Sequence, residues 1–275
     1  MRRGNTYFIL YPGGAHNWTC VDLYLYNILP DLFKTEWTND YGLTQDGAAT
    51  AKYGSPLIDG KVDAIWSEAK AIVPKYSTTP EDTSVTFKTM WDDNALYVLA
   101  EVKDTNISKD ASAAYEQDSI EIFLDEKNDG VKEYAVDDLH FRVNYDNNKT
   151  ADNGDASRMY SKTTVVDGGY IVEARISWQD IKPANDTKLG IELQVNDAKG
   201  ASRVGTINVF DKTGNGWQDV SVFGKVVLLG RPDDAAPSID PYDLLIAIEE
   251  AGYVLANLNA KAEGNLYAWD EKNNQ

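Results

Sequence analysis

The chain has 275 residues, 7 tryptophans, 16 tyrosines, a net charge of -18 and a sequence pI near 4.4. That balance argues against nucleic acid or an anionic membrane as partner, since both are bound through basic surface, and no apolar run reaches the ~18 residues that span a bilayer. One cysteine, Cys20, rules out an internal disulfide and a cysteine-ligated zinc site, and two histidines, His16 and His140, leave little room for histidine-based catalysis.

Residues 1–51 read as an N-terminal extension of unassigned fold. Its start, Met1-Arg2-Arg3 followed by the apolar residues 6–11, faintly resembles a signal peptide. The apolar part is short and broken by Pro12-Gly13-Gly14, so a fragment start is the expected reading. Residues 21–29 are apolar and aromatic and suit a strand or a short helix. Residues 39–50 are polar with glycines and read as a linker.

Residues 52–230 carry the pattern of an all-β domain. Residues 85–90 and 95–102 alternate about the turn Asp92-Asp93-Asn94, and 163–166 and 170–176 alternate about Asp167-Gly168-Gly169, giving two hairpins. Further strands are expected at 118–124, 140–145, 190–196, 204–209 and 222–229. About nine strands without alternating long helices predict an antiparallel β-sandwich, jelly-roll-like, with an N-terminal arm and a C-terminal helix. Residues 231–238 read as a linker. Asp240 as N-cap, Pro241 at the first position and Asp243 in the first turn then predict a helix, with Leu244, Leu245, Ile248, Tyr253, Leu255 and Leu258 on its apolar side.

Three of the strands place polar groups on one face in mid-run: Glu121; Arg142 with His140 and Asn144; and Gln194 with Glu192 and Asn196. Side chains alternate along a strand, so these lie opposite Ile120 and Ile122, Phe141 and Val143, and Leu193 and Val195. A carboxylate, a guanidinium and an amide form a mixed donor–acceptor floor suited to hydroxyl groups. Alternation alone also predicts a solvent-washed outer face. Tyr115, just before the first of these strands, and Trp217, in the glycine-rich loop 212–219, favour a site, because exposed aromatics mark interaction surfaces. Two aromatic plates above a polar floor would clamp a sugar ring. Trp66, Trp91 and Trp178 read as packing residues. Asp125, Asp129 and Asp137, around the turn Asp125-Glu126-Lys127-Asn128-Asp129-Gly130, are candidate oxygen ligands for a hard cation, although the spacing is not that of an EF-hand.

The segments Gly54 to Trp66, Trp91-Asp92-Asp93-Asn94-Ala95-Leu96-Tyr97-Val98, Tyr115-Glu116-Gln117-Asp118-Ser119-Ile120-Glu121, Phe141-Arg142-Val143-Asn144-Tyr145 and Gln194-Val195-Asn196-Asp197-Ala198, closed by Trp217 and Phe223-Gly224, resemble a family 9 carbohydrate-binding module in order and content. The resemblance covers roughly residues 52–230. It implies a calcium-bearing β-sandwich appended to a secreted bacterial xylanase, binding the ends of cellulose and xylan chains and short gluco- or xylo-oligosaccharides of plant cell walls. It implies sugar contacts from Trp217, Glu121, Arg142 and Gln194, with Tyr115 where the family has a second tryptophan and Gly214, beside Asn215, where the family has an asparagine.

Other readings have weaker support. A glycoside hydrolase needs two carboxylates across a cleft, one with a raised pKa, and nothing nominates a partner opposite Glu121. A haem-binding sandwich would need His140 with Met90 or Met159 as axial ligands. A structural or protein-interaction sandwich with a degenerate sugar site would ignore sugars altogether.

Overall fold

A computed structural model describes residues 42–80, 82–179, 181–235, Asp240, Tyr242, 253–255 and 268–270. The readings made for residues 1–41, and the helix positions Leu244, Leu245, Ile248 and Leu258, lie outside these residues.

Twelve strands share one sheet: β1 (Ala49–Tyr53), β2 (Tyr76–Ser77), β3 (Ser84–Trp91), β4 (Ala95–Lys103), β5 (Ser119–Asp125), β6 (Asp138–Asn144), β7 (Lys149–Asn153), β8 (Met159–Val166), β9 (Gly169–Ser177), β10 (Lys188–Lys199), β11 (Ser202–Asn208) and β12 (Gly224–Leu229). Their order is β7-β6-β5-β10-β12-β1-β3-β4-β9-β8, with β11 pairing both β10 and β2. Pairing is antiparallel except at β1, which lies parallel to both β12 and β3. The sheet curls on itself, so Phe87, Leu96 and Val98 from one half join Ile122, Phe141 and Leu193 from the other in one core. All-β character and sandwich architecture are therefore as expected.

Local chemistry explains the hairpins. The Asp92 carboxylate closes the β3–β4 turn by accepting from the Asn94 and Ala95 amides at 2.8 and 2.9 Å. At β8–β9 the register Val166↔Gly169 leaves Asp167-Gly168 as a two-residue loop, with Gly168 at φ 74°, a conformation in which a Cβ would be strained.

Two expectations need correcting. Residues 39–50 are not all linker: Ala49 and Thr50 open β1, which fills the gap between β12 and β3. A sandwich beginning at residue 52 would cut that strand. Tyr253 and Leu255, assigned above to a helix face, lie in β13 (Tyr253–Leu255), paired with β14 (Ala268–Asp270) in a separate two-stranded sheet. Asp240 Oδ1 accepts from the Tyr242 amide at 2.9 Å; Pro241 and Asp243, the other expected start signals, lie outside the described residues.

A second, smaller core lies on the other face of β4. Trp66, Met90, Tyr97, Leu99 and Tyr160 pack there around Tyr242. The Tyr242 hydroxyl accepts from the Ile58 amide at 2.8 Å and donates to the Pro56 carbonyl at 3.0 Å. Arg175 lies 4.8 Å over the Tyr242 ring and pairs with Asp240. Trp66 and Trp91 are fully buried, and the half-buried Trp178 donates to the Asp92 carbonyl at 2.9 Å, so all three are packing residues. No described helix is long and apolar enough to cross a membrane.

Candidate functional site

The three residues chosen from alternation fall in one transverse row. Arg142 on β6 pairs with Glu121 on β5, and Glu121 pairs with Gln194 on β10. The row continues to Thr150 on one side and Asn208 on the other. Their side chains therefore rise from the sheet next to one another, as directly opposed residues in antiparallel strands must.

Hydrogen bonds hold this row before any ligand arrives. Glu121 Oε1 accepts from Arg142 Nε at 2.7 Å and from Asn196 Nδ2 at 2.6 Å. Glu121 Oε2 lies 2.6 Å from His140 Nε2, and the His140 ring stacks on Phe123 at 4.2 Å. Arg142 also donates to Thr150 Oγ1 at 3.0 Å and to Asp152 Oδ2 at 2.8 Å. Gln194 donates to Asn196 Oδ1 and accepts from Asn208 Nδ2, both at 2.8 Å. Burial would raise the Glu121 pKa, but the hydrogen bonds and charges of His140 and Arg142 outweigh it and hold the carboxyl down at about 2. This carboxylate stays ionised and works as an acceptor.

Above the floor opens a cleft of about 800 Å³, lined by Tyr115, Glu121, Arg142, Gln194 and Trp217 together with Thr78, Asp152, Arg203, Val204, Gly205, Thr206 and Gly214. Tyr115, on a 3-10 turn (Ala114–Glu116), is 48% exposed and Trp217 is 60% exposed. Two large aromatics on the wall of one cleft, both open to solvent, are rare in a surface that merely faces water.

The Trp217 loop is fixed by two buried carboxylates. Glu192 accepts from the Val209, Phe210 and Asp211 amides at 2.7, 2.8 and 2.5 Å. Asp211 accepts from the Thr213 amide and hydroxyl, both at 2.6 Å, and from the Gly216 amide at 2.9 Å. Burial pushes Glu192 up to about 8 against the pull of its three amide donors.

Five of the seven expected ligand residues thus line the cleft. Asn144 and Asn215 do not. Asn144 is buried, donates to Gln117 Oε1 at 2.8 Å and accepts from the Asp146 and Asn148 amides, so it shapes the β6–β7 turn. Asn215 is exposed and bonds within its own loop, accepting from Gln218 Nε2 at 3.4 Å. Thr78, Asp152, Arg203 and Thr206 were not foreseen. Thr78, Asp152 and Arg203 lie outside the strands expected from the pattern, and Thr206 lies within the one expected at 204–209 but carries no charge or aromatic ring to single it out.

The acidic residues form two buried clusters. In the first, carboxylate oxygens of Asp125, Asp137 and Asp138 lie within 4.8 Å of one another. Asp129, expected in this group, is exposed and accepts instead from the Val131 amide at 3.0 Å, so Asp138 stands in its place. Asp137 Oδ2 and Asp138 Oδ1 are buried without a hydrogen-bond partner. Burial, then the charges of Asp125 and its neighbours, raises Asp138 to about 6. The second cluster, Asp104, Asp118 and Asp197, had no signal in the sequence reading. It shares the same 4.8 Å proximity, and Asp104 Oδ2 is orphaned. The haem alternative finds no support in this arrangement: Met159 lies in the inner core, Met90 in the outer one, and His140 is engaged by Glu121.

The family model described as carbohydrate family 9 binding domain-like matches residues 58–231. The chain belongs to that family. It is 45% identical over 187 residues to the exoglucanase XynX of Acetivibrio thermocellus and 44% identical over 200 residues to an endo-1,4-beta-xylanase A of Thermotoga maritima. These alignments cover 67% and 70% of this chain but only 17% and 19% of the relatives, so the chain spans less than a fifth of their length. A solved family 9 carbohydrate binding module from Caldicellulosiruptor kristjanssonii, in complex with cellotriose, is 51% identical with a TM-score of 0.67, covering 70% of this chain and all (100%) of that one. The same module is also solved with glucose. A solved protein from Bacteroides uniformis, at 9% identity and a TM-score of 0.52, shares the fold alone.

Proposed function

We propose that this chain is a non-catalytic carbohydrate-binding module. It takes short gluco- or xylo-oligosaccharides and the ends of cellulose or xylan chains. Tyr115 and Trp217 stack on the sugar, Glu121 accepts from hydroxyls, Arg142 donates, and Gln194 does either. One observation carries the reading: the ordered row Arg142–Glu121–Gln194 floors a cleft walled by two exposed aromatics. The sugar complexes of the Caldicellulosiruptor module support it.

The electrostatics favour binding over hydrolysis. A general acid needs a raised pKa, yet Glu121 is held at about 2. The other carboxylate in the lining, Asp152, is tied to the same Arg142. Since xylanases carry related modules, the function we infer is to hold an attached xylanase, secreted by a bacterium, at plant cell-wall polysaccharide, raising local concentration without lowering a barrier. A disaccharide of roughly twenty heavy atoms at about -0.3 kcal/mol each binds no tighter than a Kd of roughly 40 μM. Calorimetry with cellobiose and xylobiose, with and without reduced ends, should give weak saturable binding. Silence towards the whole panel would leave only an interaction scaffold.

We also infer structural calcium at Asp125, Asp137 and Asp138. Buried carboxylate oxygens without partners are what a hard cation satisfies, and Asp137 Oδ2 and Asp138 Oδ1 meet that description. Asp104, Asp118 and Asp197 have a comparable donor set. The ion would neutralise crowded carboxylates and tie the 125–138 turn to the ends of β5 and β6.

A further inference from the structure

The charged groups of the cleft are not equally committed. Glu121 and Asp152 both accept from Arg142, and His140 Nδ1 lies 3.6 Å from Asp152. These four groups satisfy one another. Arg203 stands apart. Its Nη1 donates to Asn196 Oδ1 at 3.0 Å, and its guanidinium carbon lies 5.6 Å from the centroid of the Tyr115 ring. These two contacts steer an otherwise exposed side chain. Among the described residues no carboxylate pairs with Arg203, and its Nε and Nη2 hydrogens meet no acceptor.

A guanidinium edge with two parallel N–H groups matches the two oxygens of a carboxylate, while a neutral hydroxyl can use only part of it. The chain as a whole carries -18 and repels anions. An anchored guanidinium with no carboxylate partner among the described residues, in the cleft of so acidic a protein, therefore has a specific use. The cleft volume of about 800 Å³ lies in the upper range for sites that enclose multi-ring ligands, which leaves space for a substituent beside a stacked ring.

We propose that the cleft selects acidic sugars: oligosaccharides bearing a carboxylate, either as a uronic-acid substituent or as an oxidised, aldonic chain end. Arg203 is the selecting residue. The proposal rests on the reading of the cleft as a sugar site and names the class of sugar it prefers.

The test uses the full chain and its Arg203→Met variant. Calorimetry compares xylotriose with glucuronic-acid-substituted xylotriose, and cellobiose with cellobionate, at low salt and in about 1 M NaCl, where the screening length falls to roughly 3 Å. At least one acidic sugar should bind about five-fold more tightly than its neutral counterpart, the effect of one exposed charge pair of about 1 kcal/mol. That advantage, read as the ratio of acidic to neutral affinity within one protein, should shrink in salt and fall to about one in R203M, whatever the variant does to neutral binding. Preference for the glucuronosyl ligand assigns a substituent site, and preference for cellobionate a chain-end site. Neutral binding with no acidic preference, or a preference that survives in R203M, overturns the proposal alone. Absence of binding to every sugar overturns the cleft reading and the proposal together.

Discussion

Replacing Trp217 with alanine tests the clamp. The side chain is 60% exposed. An indole offers on the order of 250 Å², so about 150 Å² faces solvent in the free protein. A sugar ring stacked on one face would cover roughly half of that, about 75 Å², worth about 2 kcal/mol at ~25 cal/mol per Å². W217A should therefore bind cellobiose about 25-fold more weakly. The same reasoning for Tyr115, 48% exposed on a side chain of about 200 Å², gives roughly 1.2 kcal/mol, or about seven-fold, for Y115A. Isothermal calorimetry reads the affinities and thermal unfolding reads the fold. On the same scale, the roughly 100 Å² that each side chain buries in the free protein bounds the loss of stability at about 2.5 kcal/mol. Unaltered affinity in W217A would refute the stacking argument. A loss of stability beyond that bound would show instead that Trp217 holds its own loop.

Chelating calcium should lower the melting temperature, and D138N should blunt that response. An ion present at about one hundred times its Kd stabilises by about 2.7 kcal/mol, and each kcal/mol is worth roughly 2–4 °C in a domain of this size; identical melting with and without chelator would exclude the ion. In the chelated protein Asp138, Asp118, Glu173 and Glu192 titrate near 6, 7, 7 and 8, each raised first by burial. The folded state then keeps protons that the unfolded chain releases, so stability falls as pH rises from about 4 through about 8. Glu121, held at about 2, acts in the opposite sense and only below its ordinary range. A urea midpoint no lower at pH 8 than at pH 5, roughly the two ends of that window, would contradict this assignment. Glu192→Gln replaces an oxygen that accepts from the loop amides with an NH₂ group, at about 1–3 kcal/mol in urea unfolding. Sugar affinity should drop with it, because that loop carries Trp217; full affinity would separate the loop anchor from binding.

Most of the sandwich was legible because its strands carry an apolar row on one face, even where, as in β5, β6 and β10, the polar face is buried as well. Ile120, Ile122 and Leu124 announce β5, and the Asp-Gly turn announces β8–β9. β7 (Lys149–Asn153) was missed because it pairs on one side only and its sequence, Lys-Thr-Ala-Asp-Asn, is mostly polar. β2 has two residues, too few for a period. β1 alternates weakly, and it pairs with strands far away in sequence, which no local pattern reveals. At the site, alternation found the floor residues with the longest side chains on buried strands. It overreached at Asn144, which shares the face of Arg142 but turns to Gln117 and to the backbone of the next turn. Arg203 and Asp152 reach the cleft through pairings with β10 and β6, so only tertiary structure could nominate them.

The parallel seating of β1 against β12 bears on how the domain carries mechanical load. Ala49 lies opposite Val226 and Lys52 opposite Leu229, so the polypeptide arrives at one end of this strand pair and departs from the other. Tension applied through the flanking chain would slide the two strands past each other, straining all their rungs together. Opening them one rung at a time, as in a peeled hairpin, would not be available. A pull exerted on both flanking segments at once would meet its stiffest resistance along that seam.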